Sequence, residues 1–158
     1  MLKPSYRLML AGEEDAVAAV ARAAFENDPL VNETIDLGLR EAFTNATWRP
    51  RYWLAEVDGE LVGFGGWNWT WINYDVACFS WAGVLEAHQG KGIGRGLVEV
   101  RIADIKQTNS GISLVLVNTW NPAMYRRYGF ETIGVHDFRS GKGEHLMRLS
   151  LTPREHKL

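Results

Sequence analysis

The 158-residue chain carries one cysteine, Cys78, so it can form no internal disulfide and holds no cysteine cluster for a metal. Neither sign of charge dominates. The formal net charge is -2 and the pI about 6.1, which gives no general attraction to nucleic acid or anionic membrane, so a basic site would have to be local. No apolar run approaches the roughly 18 to 20 residues of a membrane span, and Met1 to Leu10 is not laid out as a signal peptide. These absences point to the cytoplasm. Repeats, linkers and low-complexity stretches are missing too. With 46% hydrophobic residues, residues 1–158 are expected to form one domain with a real core, ending in a frayed charged tail over 153–158.

What is present in excess is glycine at one place. Gly90, Gly92, Gly94 and Gly96 alternate with Lys91, Ile93 and Arg95, stripping the backbone of side chains so that a ligand can approach its amides. From Ile93 the apolar residues Leu97, Val98, Ile102 and Ile105 keep helical spacing, whereas Val76 to Leu85 before the turn reads as a strand. A glycine turn on a helix N-terminus, with Lys91 and Arg95 beside it, suits phosphate. Spacing excludes two familiar loops. The residue where a Walker loop needs its first glycine is Leu85, and the third glycine of a dinucleotide fingerprint would fall on Arg95 or Leu97.

Gln89-Gly90-Lys91-Gly92-Ile93-Gly94 fits Gln/Arg-x-x-Gly-x-Gly/Ala, and Tyr125-Arg126-Arg127-Tyr128-Gly129-Phe130 fits Tyr-x-x-x-Gly-Phe. With the strand that reaches Val84 before Gln89, these features resemble the GNAT superfamily of acyl-coenzyme A dependent N-acyltransferases, firmly over Val76 to Phe130. The resemblance implies acetyl-coenzyme A as co-substrate and no metal. It implies cofactor contacts from Val84, Leu85, Gln89, Gly90, Lys91, Gly92, Ile93, Gly94, Arg95, Asn118 and Tyr125. It also implies a Val84 backbone amide directed at the acyl oxygen and Tyr125 as general acid. The usual proline after the strand is replaced by Glu86, and the proline and alanine that follow Asn118 come later than usual.

The elements fit an α+β fold of GNAT type, with a mixed, mostly antiparallel sheet of six to seven strands, a β-α-β crossover and about four helices. Ser5 to Leu10 suits a first strand, and Gly12 to Asn27 and Asn32 to Phe43 suit helices. Asp58-Gly59 is a tight turn between Arg51 to Val57 and a strand from Glu60. Tyr74 to Leu85 completes a meander with a bulge expected at Gly83. Gly92 to Lys106 is the central helix, ended by Asn109-Ser110-Gly111. Ile112 to Val117 reads as a strand covered on both faces, and Asn121 to Tyr128 as a short helix. Phe130 to Val135 and Glu144 to Leu151 read as final strands, joined by a polar loop around Ser140 to Gly143.

Acyl transfer from a thioester to an amine needs a polarised carbonyl, an unprotonated amine and a proton for the departing sulfur. An alkyl ammonium of pKa about 10.4 leaves roughly one molecule in a thousand ready at neutral pH. Asp75, Glu86, His88 and Glu56 are the alternatives for a base, with a water chain preferred to any one of them. Cys78 lacks a neighbouring His or cation and reads as a small core residue, so direct transfer in a ternary complex is expected. Trp67, Trp69 and Trp81 are either core or dimer-face aromatics, or the walls of a pocket for the amine. The reading is an N-acetyltransferase acting on a small-molecule or peptide primary amine. Its alternative is a sensor or interaction module that binds acyl-coenzyme A without turnover.

Overall fold

The computed structural model describes residues 3–44, 48–108, 111–137 and 143–151. The chain runs β1 (Ser5–Leu8), α1 (Glu14–Ala24), α2 (Pro29–Arg40), β2 (Arg51–Val57), β3 (Glu60–Trp69), β4 (Val76–Val84), α3 (Ile93–Thr108), β5 (Leu114–Thr119), α4 (Pro122–Arg126), β6 (Glu131–Asp137) and β7 (Gly143–Ser150). Single 3-10 turns cover Glu41–Phe43 and Glu86–His88. All seven strands lie in one sheet of order β1-β2-β3-β4-β5-β7-β6. Only the β4 and β5 pair is parallel, joined by the α3 crossover. The α+β architecture read from the sequence is therefore the one observed.

The α1 and α2 helices cover one face of the sheet. Val17, Val20, Val31, Ile35 and Leu39 pack there on Tyr52, Leu54 and Phe64. The α3 and α4 helices cover the other face, where Val98, Ile105 and Tyr125 meet Phe79, Val115, Val117 and Met147. Asp28 caps α2 with Pro29 at its first position, so the Asn27-Asp28-Pro29 stop also starts the next helix. The Asp104 carboxylate on α3 is buried and accepts from both Arg51 nitrogens at 2.8 Å, from Trp53 Nε1 at 3.0 Å and from Trp67 Nε1 at 2.7 Å. Burial alone would raise its pKa, but these donors outweigh burial and hold it below the ordinary value.

Two expectations need correction. The bulge falls at Ser80 and Trp81, where β4 advances three residues from Phe79 to Ala82 while β3 advances two from Trp67 to Gly65. Ala77 and Phe79 face α3 and α4, whereas Trp81 and Gly83 face α1. Gly66, opposite the bulge, has no room for a Cβ against Ser80 Oγ and the Tyr52 ring, and Gly83 is a glycine because a Cβ would come within 2.8 Å of Ala24 Cβ. Second, β5 is not covered on both faces. Val115 and Val117 are buried, but Leu116 lines an open cleft. The polar loop, the tail and the Asn109-Ser110 helix stop lie outside the described residues.

Candidate active site

Parallel pairing between β4 and β5 stops after Cys78 and Leu116, although β4 continues to Val84 and β5 to Thr119. The strands diverge into a cleft of about 1050 Å³ lined by β4, the glycine turn, α4 and the start of β7. The Leu85 amide donates to Val62 O at 2.9 Å across β3. Successive amides along a strand point to opposite edges, so the Val84 N–H is aimed at the edge from which β5 has parted. Gln89 Nε2 donates to Val84 O at 3.0 Å and ties the glycine turn to that strand end.

Gly90 and Gly92 hold φ of +73° and +83°, with nothing within 4 Å of where a Cβ would stand. The turn therefore needs glycine for its backbone conformation and leaves open space above its amides, directly before the first turn of α3. A pyrophosphate fits this cradle, since unpaired N–H groups and the helix dipole converge on it. Lys91 Nζ donates to Ala87 O at 3.0 Å and braces the loop. Arg95 lines the cleft beside Gly92 and Gly94, as does Ile93.

Tyr125 on α4 is buried, edge-on to Phe130 at 5.4 Å and 6.3 Å from Phe79, and it lines the cleft. Arg101, on the buried face of α3, is a residue that sequence reasoning misses, since it breaks the apolar stripe. It is 1% exposed, donates to Leu97 O at 2.9 Å and Gly66 O at 3.1 Å, and lies 3.9 Å from the Phe79 ring centroid. Burial lowers its pKa, and the neighbouring Tyr125 phenol acts in the opposite direction. A helical residue four positions after Leu97, of the wrong polarity for the stripe, was the signal available. Tyr128 packs its half-buried ring against the core under α3, and its hydroxyl donates to Glu99 at 2.8 Å. Burial and that carboxylate push its phenol up to about 12.

The tryptophans part company. Trp81 lines the cleft and meets Phe25 edge-on at 5.7 Å. Trp67 is 0% exposed and bound to Asp104, and Trp69 packs on it at 4.7 Å. Neither lines the cleft. Both belong to the sheet face under α3, because alternation along β3 places them there. Asp75, Glu86, His88 and Glu56 do not line the cleft either, and Glu56 is paired with Arg7. Leu85 faces α1, away from the gap. Cys78 lies at the foot of the cleft, where burial raises its thiol pKa and so suppresses the thiolate. Ser80 Oγ is buried without a hydrogen bond of good geometry, although it lies close enough to Tyr52 to affect that phenol.

Asn118 lines the cleft, but its side chain is engaged on the face away from Tyr125. Its Nδ2 donates to Glu144 at 2.5 Å and its Oδ1 lies 2.9 Å from His136 Nε2. Among the described residues no group of three His, Cys, Asp or Glu could hold a metal, and no helix is long and apolar enough to cross a membrane.

Residues 48–132 match the family described as acetyltransferase (GNAT) domain. A mycothiol acetyltransferase from Streptomyces griseus is 30% identical over 128 residues, 77% of this chain and 41% of that protein. The chain thus spans less than half the length of the curated relatives it matches. Among solved structures, a protein from Desulfovibrio desulfuricans assigned to the GNAT family aligns with TM-score 0.79 at 20% identity, covering 95% of this chain and 100% of that one. A GNAT family acetyltransferase from Brucella melitensis in complex with acetyl-CoA aligns with TM-score 0.74 at 20% identity, covering 97% and 91%. At that identity the likeness is one of fold.

Proposed function

Since this chain belongs to the GNAT acetyltransferase family, we propose that its cleft transfers an acetyl group from acetyl-CoA directly to a primary amine. The observation that carries this reading is the parting of β4 from β5 beside a glycine cradle, which leaves the Val84 amide unopposed by β5 above an open channel. Acetyl-CoA, when bound, supplies an activated acyl carbon on a thioester. Gly90 and Gly92, with the first turn of α3, would hold its pyrophosphate, and Arg95 would add positive charge.

Three groups of the chain then serve the reaction. The Val84 N–H donates where negative charge develops on the acyl oxygen. The Tyr125 phenol gives a proton to the departing sulfur. The buried Arg101 guanidinium stands beside the phenol and faces the negative charge that the transfer leaves there. A two-step route through Cys78 is disfavoured, since burial keeps its thiol protonated. The acceptor reaches the cleft between Trp81, Phe25, Leu30 and Val31, which suits an amine on an apolar or aromatic body.

The test is thiol release from acetyl-CoA in the presence of a pool of primary amines, wild type against Tyr125→Phe. The variant should lose about 100-fold in kcat while its acetyl-CoA affinity by calorimetry stays within about twofold. A wild-type chain that binds acetyl-CoA and never turns over would instead be a sensor.

A further inference from the structure

The proposed chemistry still lacks a destination for the ammonium proton, and the cleft holds a carboxylate without a task. Glu144, the second residue of β7, is 5% exposed and lines the cleft. Among the described residues it forms no ion pair with Lys or Arg, and its side chain rests on Asn118 Nδ2 at 2.5 Å. A buried carboxylate held by one neutral amide invites a cation.

Strand parity fixes the side from which it acts. On β5, Val115 and Val117 face α3 and α4 with Tyr125, and so does Met147 on β7. Alternation therefore turns Asn118, Glu144 and Leu146 to the opposite face. Register brings His136 of β6 opposite Glu144, and Leu146 opposite Asn118. Trp81 and Phe25, grouped with α1 and α2, stand on this same side. The cleft thus passes through the sheet, with Tyr125 on one side and Glu144 on the other. Asp28 also lines it, but one of its carboxylate oxygens accepts from the amides of Leu30 and Val31 as the α2 cap.

We propose that Glu144 draws the acceptor ammonium into the cleft and takes its proton, with Asn118 and His136 as positioning residues. This rests on the acetyltransferase reading. With its Nε2 protonated, His136 donates to Asn118 Oδ1, which fixes the amide so that Nδ2 faces the carboxylate. The reverse orientation would set oxygen against oxygen. Enclosure also lowers the basicity of the bound ammonium. One proton passes from the ammonium nitrogen to Glu144. The freed lone pair forms the C–N bond to the thioester carbonyl carbon as the C–S bond breaks. Sulfur leaves with the electron pair and takes the Tyr125 proton. The now cationic nitrogen loses its second proton to the Tyr125 oxygen through water, and the proton on Glu144 passes to solvent.

The experiment compares wild type with Glu144→Gln, a near isostere, using acetyl-CoA with tyramine, spermidine and an alanine-initiated hexapeptide, from about pH 6 to 10. The charged and titratable groups that share the cleft with Glu144 are Asp28 from the α2 cap, Cys78 from β4, and Arg95, Arg101, Tyr125 and Arg127 from the α3 and α4 side, and His136 of β6 stands behind Asn118. For Glu144→Gln, kcat/KM should fall about 100-fold at pH 7. Its residual rate should keep rising with pH toward the free amine's own ionisation at about 10, whereas the wild type levels off at lower pH. Acetyl-CoA affinity by calorimetry should be unchanged. His136→Gln, on an exposed strand, should lower kcat about tenfold and keep the wild-type shape of the profile. A Glu144→Gln variant with wild-type rate and profile overturns the assignment and leaves acetyl transfer standing. Equal loss of acetyl-CoA binding would mark Glu144 as structural and overturn it as well. A wild type that binds no acetyl-CoA and releases no thiol with any of these amines sinks both.

Discussion

At the scale of single residues, Arg101 is a costly choice and therefore an informative one. A guanidinium that is 1% exposed on a helix face meant for leucine survives because two carbonyls, the Phe79 ring and the Tyr125 phenol surround it. Replacing buried ionic groups with packed apolar residues of similar volume is often neutral or stabilising, and among the described residues no carboxylate pairs with Arg101 to be stranded by its loss, so Arg101→Met should fold with a melting temperature within a few degrees of wild type. Its turnover should nevertheless drop about tenfold, with acetyl-CoA affinity intact, because Tyr125 would lose the cation that offsets its phenolate. Calorimetric melting and steady-state kinetics on one preparation separate the two effects, and an unchanged kcat would count against the role given to Arg101.

At the scale of elements, one carboxylate adds a polar staple to the apolar packing that holds α3 over the sheet. Asp104 draws Arg51, Trp53 and Trp67 from two adjacent strands onto one helix position, fixing how the helix presents its glycine-bearing end. Asp104→Asn removes the charge that Arg51 pairs with and disturbs the indole donors. It should cost about 3 kcal/mol of unfolding free energy in urea, and a loss well under about 1 kcal/mol would contradict the staple. Little of this was legible beforehand. Asp104 reads as one more acid on a helix, and only the alternation of Trp53 and Trp67 on neighbouring strands aims both indoles at it. The glycine turn was legible because its chemistry is local: Gly90 and Gly92 sit at positive φ that few other residues tolerate. The bulge was misplaced for the opposite reason, since a bulge belongs to a pair of strands and Gly83 answers to Ala24 on a distant helix.

For the whole molecule, acid stability should depend on the corner where β1, α1 and β2 meet. Arg7 donates to Glu13 at 2.7 and 2.8 Å and to Glu56 at 2.7 and 3.1 Å. The Arg7 hydrogen bonds, with help from the Leu10 amide, hold the Glu13 carboxyl down at about 2, against an ordinary 4.5. A depressed carboxyl stabilises the fold above its unfolded pKa, and that contribution fades as pH falls from 4.5 toward about 2. Glu13→Gln should therefore melt lower than wild type at neutral pH and lose less between about pH 5 and pH 3. Parallel slopes in the two melting series would remove Glu13 from the account. The fold as a whole was readable because hairpin, crossover and glycine turn each follow from short-range pattern. Of the cleft lining, Val84, the glycine turn, Asn118 and Tyr125 stood out in short motifs, whereas Glu144 and His136 meet Asn118 through pairing across three strands.

The extra residue in β4 settles how one ribbon can furnish two rooms. Counted strictly by twos, Phe79 and Trp81 would share a side, and the acyl donor and the amine would compete for the same aromatic wall. Excising Ser80 would restore plain alternation with Trp81 directly after Phe79 and still on the vestibule side, whereas moving the extra residue past Trp81 would swing its indole under α3 and leave the nucleophile's vestibule without its lining.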